Sequence, residues 1–494
     1  MKINITSILF LSLILFFFPA LYVYIPGINK VFSVYYIYIA FVFLLLLILD
    51  NKKFIIKIKD FYSKTPLKYM ILFLAFSFLN SLILPIFLNE LSIARSIVII
   101  IKIGLLCICP MLFLYIYIVG KYIAVKKFFK TFIIIFLLIL LVGLIAFLGQ
   151  YFNISFINKF FDIVANSRLL AFEKGLKGFE QETLSNYIAF GLPRLDNLHE
   201  EPSFYARFLF VFLPLIYNIS TVKQKLLKSG LLDRILKRTI YILAWLNLFL
   251  TFSPIFILLS CCITIFHFKS FIKKYWYIVL TIFSIFIIGL SLINLQETFL
   301  SRILIFITRI RSFSDFIAME PSLAGRIIIY INLICIFFKN ILFGVGFGQA
   351  FFLIINQLAS SPIDLTPGVQ TKLLAALTTG SSLSYNTGFI YTVFCENGIF
   401  ISILFMIFCK SLYVEINKII KNSSYELIIK LAKGLKWSLI SLFILMFYDM
   451  TSIQIEMYMI FSMCLILIYY QKKQIRKVKY EISQKNAEII HTNK

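Results

Sequence analysis

Charge is scarce in this 494-residue chain, and acid is scarcer still. Charged residues make up 14% of it, and 22 Asp and Glu stand against 48 Lys and Arg. Hydrophobic residues fill 61% of the chain, and mean hydropathy is +0.95. That composition excludes a water-soluble globular protein, because too few polar side chains remain to cover a surface. Only three histidines are present. The eight cysteines, Cys107, Cys109, Cys261, Cys262, Cys335, Cys395, Cys409 and Cys464, lie in apolar runs, and none forms a C-x-x-C pair. Neither a disulfide framework nor a zinc site is suggested. Only Lys2 precedes the first apolar run and no clear small-residue cleavage site follows, so a retained first helix is expected.

What the chain has in abundance is long apolar runs, near the length that crosses a bilayer. They fall at about 7–25, 32–49, 69–88, 96–119, 131–150, 204–220, 275–294, 386–409, 437–449 and 453–470. The run from Thr239 to His267 is too long for one helix and short for two. Basic segments flank it, so the chain must cross an even number of times between them. TFSP at 251–254 sits in its middle. Two short tilted helices meeting at Ser253-Pro254 satisfy both constraints, with a re-entrant pair as the alternative.

The expected fold is an all-α polytopic membrane protein, residues 1–494 forming a single domain of about twelve transmembrane helices. Lys-rich segments at 50–68, 120–130, 221–238, 410–436 and 471–480 read as cytoplasmic, which puts both termini in the cytoplasm. The formal net charge of +26 therefore reports orientation, and no nucleic-acid partner is expected. Two large loops, 151–203 and 295–385, are left outside, with apolar stretches that read as short interfacial helices.

Chemistry-bearing residues concentrate at 191–214, GLPRLDNLHEEPSFYARFLFVFLP. Arg194, Asp196, Asn197, His199, Glu200 and Glu201 crowd together just before a membrane helix that should start at Pro202, where a missing N–H costs nothing. Glu200 and Glu201 then lie at its positive end. Arg207 lies more than one turn down, at membrane depth. A carboxylate at the boundary suits a general base on a sugar hydroxyl, and an arginine below it suits a lipid-attached phosphate. The plainer alternative is a capped helix with a snorkelling arginine. His199 is the histidine that this topology puts outside, as a chemical or a structural residue.

A second concentration is PSLAGRIIIYINLICIFFKNILFGVGFGQA at 321–350. Ser322 and Arg326 precede an amphipathic-looking helix that Lys339-Asn340 ends. Arg326 is a candidate phosphate ligand, or else an interfacial anchor. GVGFG at 344–348 has the wrong glycine spacing for a dinucleotide fingerprint, and its glycines are expected to let a loop pack tightly. Lys102 follows Arg95 by seven residues on one helix face and, as an intramembrane lysine, should face a cavity or partner. Glu396, in the run after Asn386-Thr387, is a candidate partner for Lys102 or Arg207.

The motifs occur in a telling order: HEEPSFYAR at a middle helix, then TFSP, then SLAGR with FGVGFG, then YNTGFIYTVFCENG entering a helix. That order resembles the O-antigen polymerase and ligase superfamily, the Wzy-type polymerases most closely, over roughly residues 190–410. The resemblance implies a GT-C-like glycosyltransferase of the bacterial inner membrane with an outward-facing active site. It implies a polysaccharide (O-antigen or capsule repeat-unit) polymerase, moving a growing glycan from undecaprenyl pyrophosphate onto a new lipid-linked repeat. Glu201 and Arg207 would lie at the transfer site, and Arg194 and Arg326 would hold pyrophosphate. Catalysis would involve Glu201, Glu200 and His199, and substrate binding Arg194, Arg207, Arg326, Lys102 and Asn386. No metal or other cofactor is implied, since the pyrophosphate is already an activated leaving group. Lipid-linked oligosaccharide and the bilayer are the implied partners, with a chain-length regulator and a flippase as further candidates. Ligases show His-Asn where this chain reads Tyr385-Asn386, and TFSP replaces a commoner Ser-Arg. An O-antigen ligase, or a flippase or transporter of the same lipid-linked oligosaccharide, is the alternative.

Overall fold

The computed structural model describes residues 61–87, 125–157, 188–189, 192–193, 195, 202–222, 230–251, 253–267, 321–346, 349–350, 353–354, 389–448 and 455–492. Almost all of these are helical. The main helices are α1 (Leu67–Phe87), α2 (Val125–Tyr151), α3 (Pro202–Ser220), α4 (Gly230–Leu250), α5 (Pro254–His267), α6 (Pro321–Lys339), α7 (Phe389–Asn422), α8 (Glu426–Tyr448) and α9 (Ile455–Thr492). Strands β1 (Ile188–Ala189) and β2 (Leu192–Pro193) form a two-residue antiparallel pair, Ile188 opposite Pro193 and Ala189 opposite Leu192. Among the described residues, three helical stretches are long and apolar enough to cross a membrane: Leu67–Leu84, Phe128–Tyr151 and Phe389–Asn422. The predicted runs at 7–25, 32–49, 96–119 and 275–294 lie outside the described residues.

The apolar side chains divide between two environments. Ile71, Phe76, Leu79 and Ile83 on α1, and Ile134, Leu138, Leu141 and Ile145 on α2, stand exposed. Such wide apolar faces are stable against lipid and unstable against water. Helix α3 is the opposite case. Every residue from Tyr205 to Ile216 is buried. It packs against α4, α5 and α8, and rings from α2 and α5 wedge against it, with Phe136 to Phe208 at 5.7 Å, Phe132 to Phe212 at 5.8 Å and Phe210 to Phe256 at 6.0 Å. A helix buried on every face is a core helix.

Between helices already in lipid, apolar burial drives little, and close packing must supply the attraction. Gly434 on α8 supplies it. A Cβ there would sit 2.9 Å from the Leu215 Cα of α3, so only glycine lets the two backbones come this near. Helix α7 in turn packs on α1, α6, α8 and α9.

Described residues of the basic segments are tied to neighbouring helices. Lys430 donates to Thr221 Oγ1 at 3.1 Å. Glu415 pairs with Lys418 at 2.8 Å and with Lys472 at 2.9 Å. Phe61 packs on Tyr469, and Lys64 lies 5.4 Å from the same ring. Exposed ion pairs of this kind are worth at most about 1 kcal/mol, so they add little stability. The basic segment 410–436, which lies between two apolar runs, is mostly helix. Helix α7 runs on to Asn422 and α8 starts at Glu426, leaving 423–425 between them. Lys, Leu, Ile and Ala are all tolerable helix formers, so the helices continue past the apolar runs rather than stopping at the first lysine.

Two helix breaks are resolved in different ways. The first falls at 251–253, where TFSP predicts it. Thr251 Oγ1 donates to the Leu248 carbonyl at 2.7 Å, and the Ser253 carbonyl accepts from Ile257 at 3.1 Å to open α5, with Pro254 in its first turn. The 14 residues of α5 rise only about 21 Å, short of a bilayer core. The second break lies inside α7 at Gly398 (φ 65°, ψ −177°). Here the loop after α6 repairs the ladder: Val345 N–H donates to the Cys395 carbonyl (3.2 Å), Gly346 N–H to the Glu396 carbonyl (2.8 Å), and Ile399 N–H to the Ile341 carbonyl (2.8 Å). Asn80 of α1 donates to the Phe343 carbonyl at 2.6 Å. Gly344 (φ 69°) lies so close that a Cβ would sit 2.5 Å from the Glu396 backbone. Gly344 and Gly346 of GVGFG do pack a loop tightly, against a broken helix.

Substituting Gly398 or Gly434 should therefore cost more than a helix propensity change. Gly398→Ala adds about 1–3 kcal/mol of backbone strain, in a region of φ and ψ that only glycine adopts readily, to a collision with the Leu342 carbonyl. Gly434→Leu separates α3 from α8. Both should lower the thermal unfolding midpoint of the purified protein in detergent, whereas lipid-facing Ile83→Ala should leave it nearly unchanged.

Candidate functional site

Helix α3 begins at Pro202, directly after the polar cluster. Five residues further on, Arg207 is 2% exposed and sits among Tyr205, Ala206, Phe208 and Leu209, all buried. An arginine at membrane depth costs between about 3 and 10 kcal/mol, depending on how far it reaches water. A helix enclosed on every side gives little room to snorkel, so this guanidinium is held in place by the bundle.

The surroundings are tied down. Tyr205 O–H donates to Asn247 Oδ1 of α4 at 2.9 Å, and Asn247 Nδ2 donates to the Leu243 carbonyl at 2.9 Å. Both residues are fully buried. Leu195, 1% exposed, donates its N–H to the Leu250 carbonyl at 2.9 Å. This bond caps the end of α4 and anchors the chain just before the polar cluster. The β1–β2 pair lies a few residues earlier, with β2 against α2. Residues 196–201 thus connect two fixed points, Leu195 at the α4 end and Pro202 at the start of α3.

Deeper in the bundle, α3, α4 and α5 leave a small cleft of about 20 Å³, lined by Phe210, Pro214, Tyr217, Tyr241, Ser260 and Ile263 among others. Phe210 and Pro214 follow Arg207 by three and seven residues, so the cleft shares a helix face with the arginine. Pro214 cannot donate to the Phe210 carbonyl, which opens the α3 ladder at the cleft wall. Its own carbonyl accepts from Asn218 Nδ2 at 2.9 Å.

Of the residues singled out from sequence, Arg207 is placed at the core of the bundle. Arg326 lies in the second turn of α6, because that helix starts at Pro321; Ser322 and Arg326 are part of the helix and do not precede it. Arg194, His199, Glu200, Glu201, Lys102 and Asn386 lie outside the described residues. Glu396 is 3% exposed, next to the break in α7. Among the described residues, no group of three or more His, Cys, Asp or Glu is placed to hold a metal ion. Tyr205, Asn247 and Asn397 were not candidates from sequence. The available signal was an asparagine within an apolar run, which rarely goes unused in a membrane bundle.

The Tyr205–Asn247 bond should be measurable. Tyr205→Phe removes the donor to a buried amide oxygen and should cost about 1–3 kcal/mol. Asn247→Leu combined with Tyr205→Phe should cost less than the sum of the two single changes, read by denaturant unfolding in a double-mutant cycle.

Compared with known protein families, the sequence matches none of the family models. None of the curated proteins matches it either.

Proposed function

We propose that this chain is a glycosyltransferase of the bacterial inner membrane, a polymerase of polysaccharide repeat units with its basic segments in the cytoplasm. It would contain about twelve transmembrane helices in a GT-C-like arrangement. The observation that carries the reading is the burial of Arg207 one and a half turns below the start of α3, immediately after His199-Glu200-Glu201. A planar guanidinium is suited to bind a diphosphate through paired hydrogen bonds.

The chemistry follows from those groups. Glu201, with Glu200 or His199 beside it, takes the proton of an acceptor sugar hydroxyl. The hydroxyl oxygen attacks the anomeric carbon of the donor glycan. The bond from that carbon to the pyrophosphate oxygen breaks, and undecaprenyl pyrophosphate leaves with the electron pair. Arg207, Arg194 and Arg326 offset the negative charge growing on the pyrophosphate, and Lys102 and Asn386 contact the substrates. A transporter of the same lipid-linked oligosaccharide is the second reading. The broken α7 favours it, since discontinuous helices build the substrate sites of many transporters.

The test uses the purified chain in nanodiscs with an undecaprenyl-pyrophosphate-linked repeat. Longer lipid-linked glycan should form, with release of undecaprenyl pyrophosphate. Arg207→Leu, Arg326→Ala and Glu201→Gln should each slow this by roughly a hundredfold or more, and Arg207→Lys should retain part of the rate. In cells lacking the protein, single lipid-linked repeats should accumulate on the outer leaflet. Accumulation on the inner leaflet identifies a transporter. Polymer of normal length from the Glu201→Gln chain contradicts the polymerase.

A further inference from the structure

The break in α7 lies within a buried seam of oxygen atoms. Ser77, Asn80 and Ser81 occupy one face of α1 at i, i+3 and i+4, and all are buried. That face meets the break: Asn80 holds the Phe343 carbonyl, and Gly346 lies against Ser81, whose Cα is 3.6 Å from where a Cβ would stand. Across from it, Glu396 is 3% exposed, and Asn397 and Ser402 are fully buried. The nine residues Phe389–Asn397 form a half-helix whose C-terminal, negative end points into the seam.

An account of the hydrogen bonds leaves two oxygens over. The carbonyls of Cys395 and Glu396 are taken by Val345 and Gly346. The Val393 carbonyl accepts from both Asn397 Nδ2 (3.2 Å) and Ser402 Oγ (3.0 Å). Because Asn397 Nδ2 faces a carbonyl, the amide cannot be turned over, and Oδ1 is fixed as an acceptor. Asn397 Oδ1 accepts no hydrogen bond from the described residues, and Ser77 Oγ, one turn along α1 from Ser81, makes none with them. Buried acceptors without donors are rare because each costs about 1–3 kcal/mol.

We propose that this seam is a binding site for a small monovalent cation, sodium, held by oxygen ligands that include Asn397 Oδ1 and Ser77 Oγ. The donor set is all hard oxygen, which suits an alkali cation rather than a thiophilic metal. The carbonyl end of the half-helix supplies negative potential. Broken membrane helices hold sodium by the same combination of unwound backbone and helix ends. The proposal does not depend on the glycosyltransferase reading.

Retention of radioactive sodium by the full-length protein in nanodiscs tests this. Binding should saturate at one ion per chain and be competed by unlabelled sodium but not by choline. Ser77→Ala should weaken it about tenfold or more, Asn397→Ala should abolish it, and helical content should be unchanged. Where Asn397→Ala does not fold, Ser77→Ala decides alone, since it removes only a hydroxyl. Absence of saturable sodium binding overturns the proposal, and so does equal binding by the wild type and Ser77→Ala. A thermal midpoint that follows pH and ignores sodium assigns the site to a proton on Glu396, and overturns it as well.

Discussion

A guanidinium enclosed in an apolar bundle is the constraint on which the rest of this structure depends. Arg207 is 2% exposed on a helix whose residues are buried on every side from Tyr205 to Ile216. The bilayer would expel such a group to its surface if the helix could turn toward water or lipid. Helix α8 prevents that on one side, by backbone contact at Gly434 and Leu215. Helix α4 holds another side through Tyr205 and Asn247. The aromatic wedges from α2 and α5 fill the remainder. The packed contacts that fix the helix are worth about 0.1–0.2 kcal/mol each and act together.

Away from water, irregular backbone is allowed only where its polar groups find partners inside the protein. The two helix breaks obey this rule by different means. At 251–253 the repair is local: a threonine hydroxyl, a serine carbonyl and a proline end one helix and start the next. At Gly398 the partners come from about fifty residues earlier in the chain, through the loop of Gly344 and Gly346. The first arrangement makes a turn. The second couples α1, α6 and α7 into one unit around a buried polar seam.

These differences explain what could be read in the sequence. The start of α3 was legible because proline at a helix start leaves a local mark, and so was the break at Ser253-Pro254. The tight packing of GVGFG was legible from glycine alone, though its partner was not. The break at Gly398 was missed, because a single glycine inside an apolar run is compatible with unbroken helix. Lys430 and its neighbours read as a basic segment between apolar runs, and they lie in the first turns of α8. Hydropathy marks where lipid ends, and a helix need not end there. The Tyr205–Asn247 pair joins residues 42 positions apart, and no periodicity predicts such a match. Of the site residues read from sequence, the structure describes the side chain of Arg207, and the functional argument therefore begins from it.

The enclosure of α3 can be measured without altering the protein. A hydrophobic diazirine probe dissolved in the bilayer labels side chains that touch lipid, and mass spectrometry maps the adducts. The account predicts adducts on Phe76, Leu79 and Ile83 of α1 and on Leu141 and Ile145 of α2, all exposed apolar residues, and none between Tyr205 and Ile216. Labelling of α3 as strong as that of α1 would contradict it.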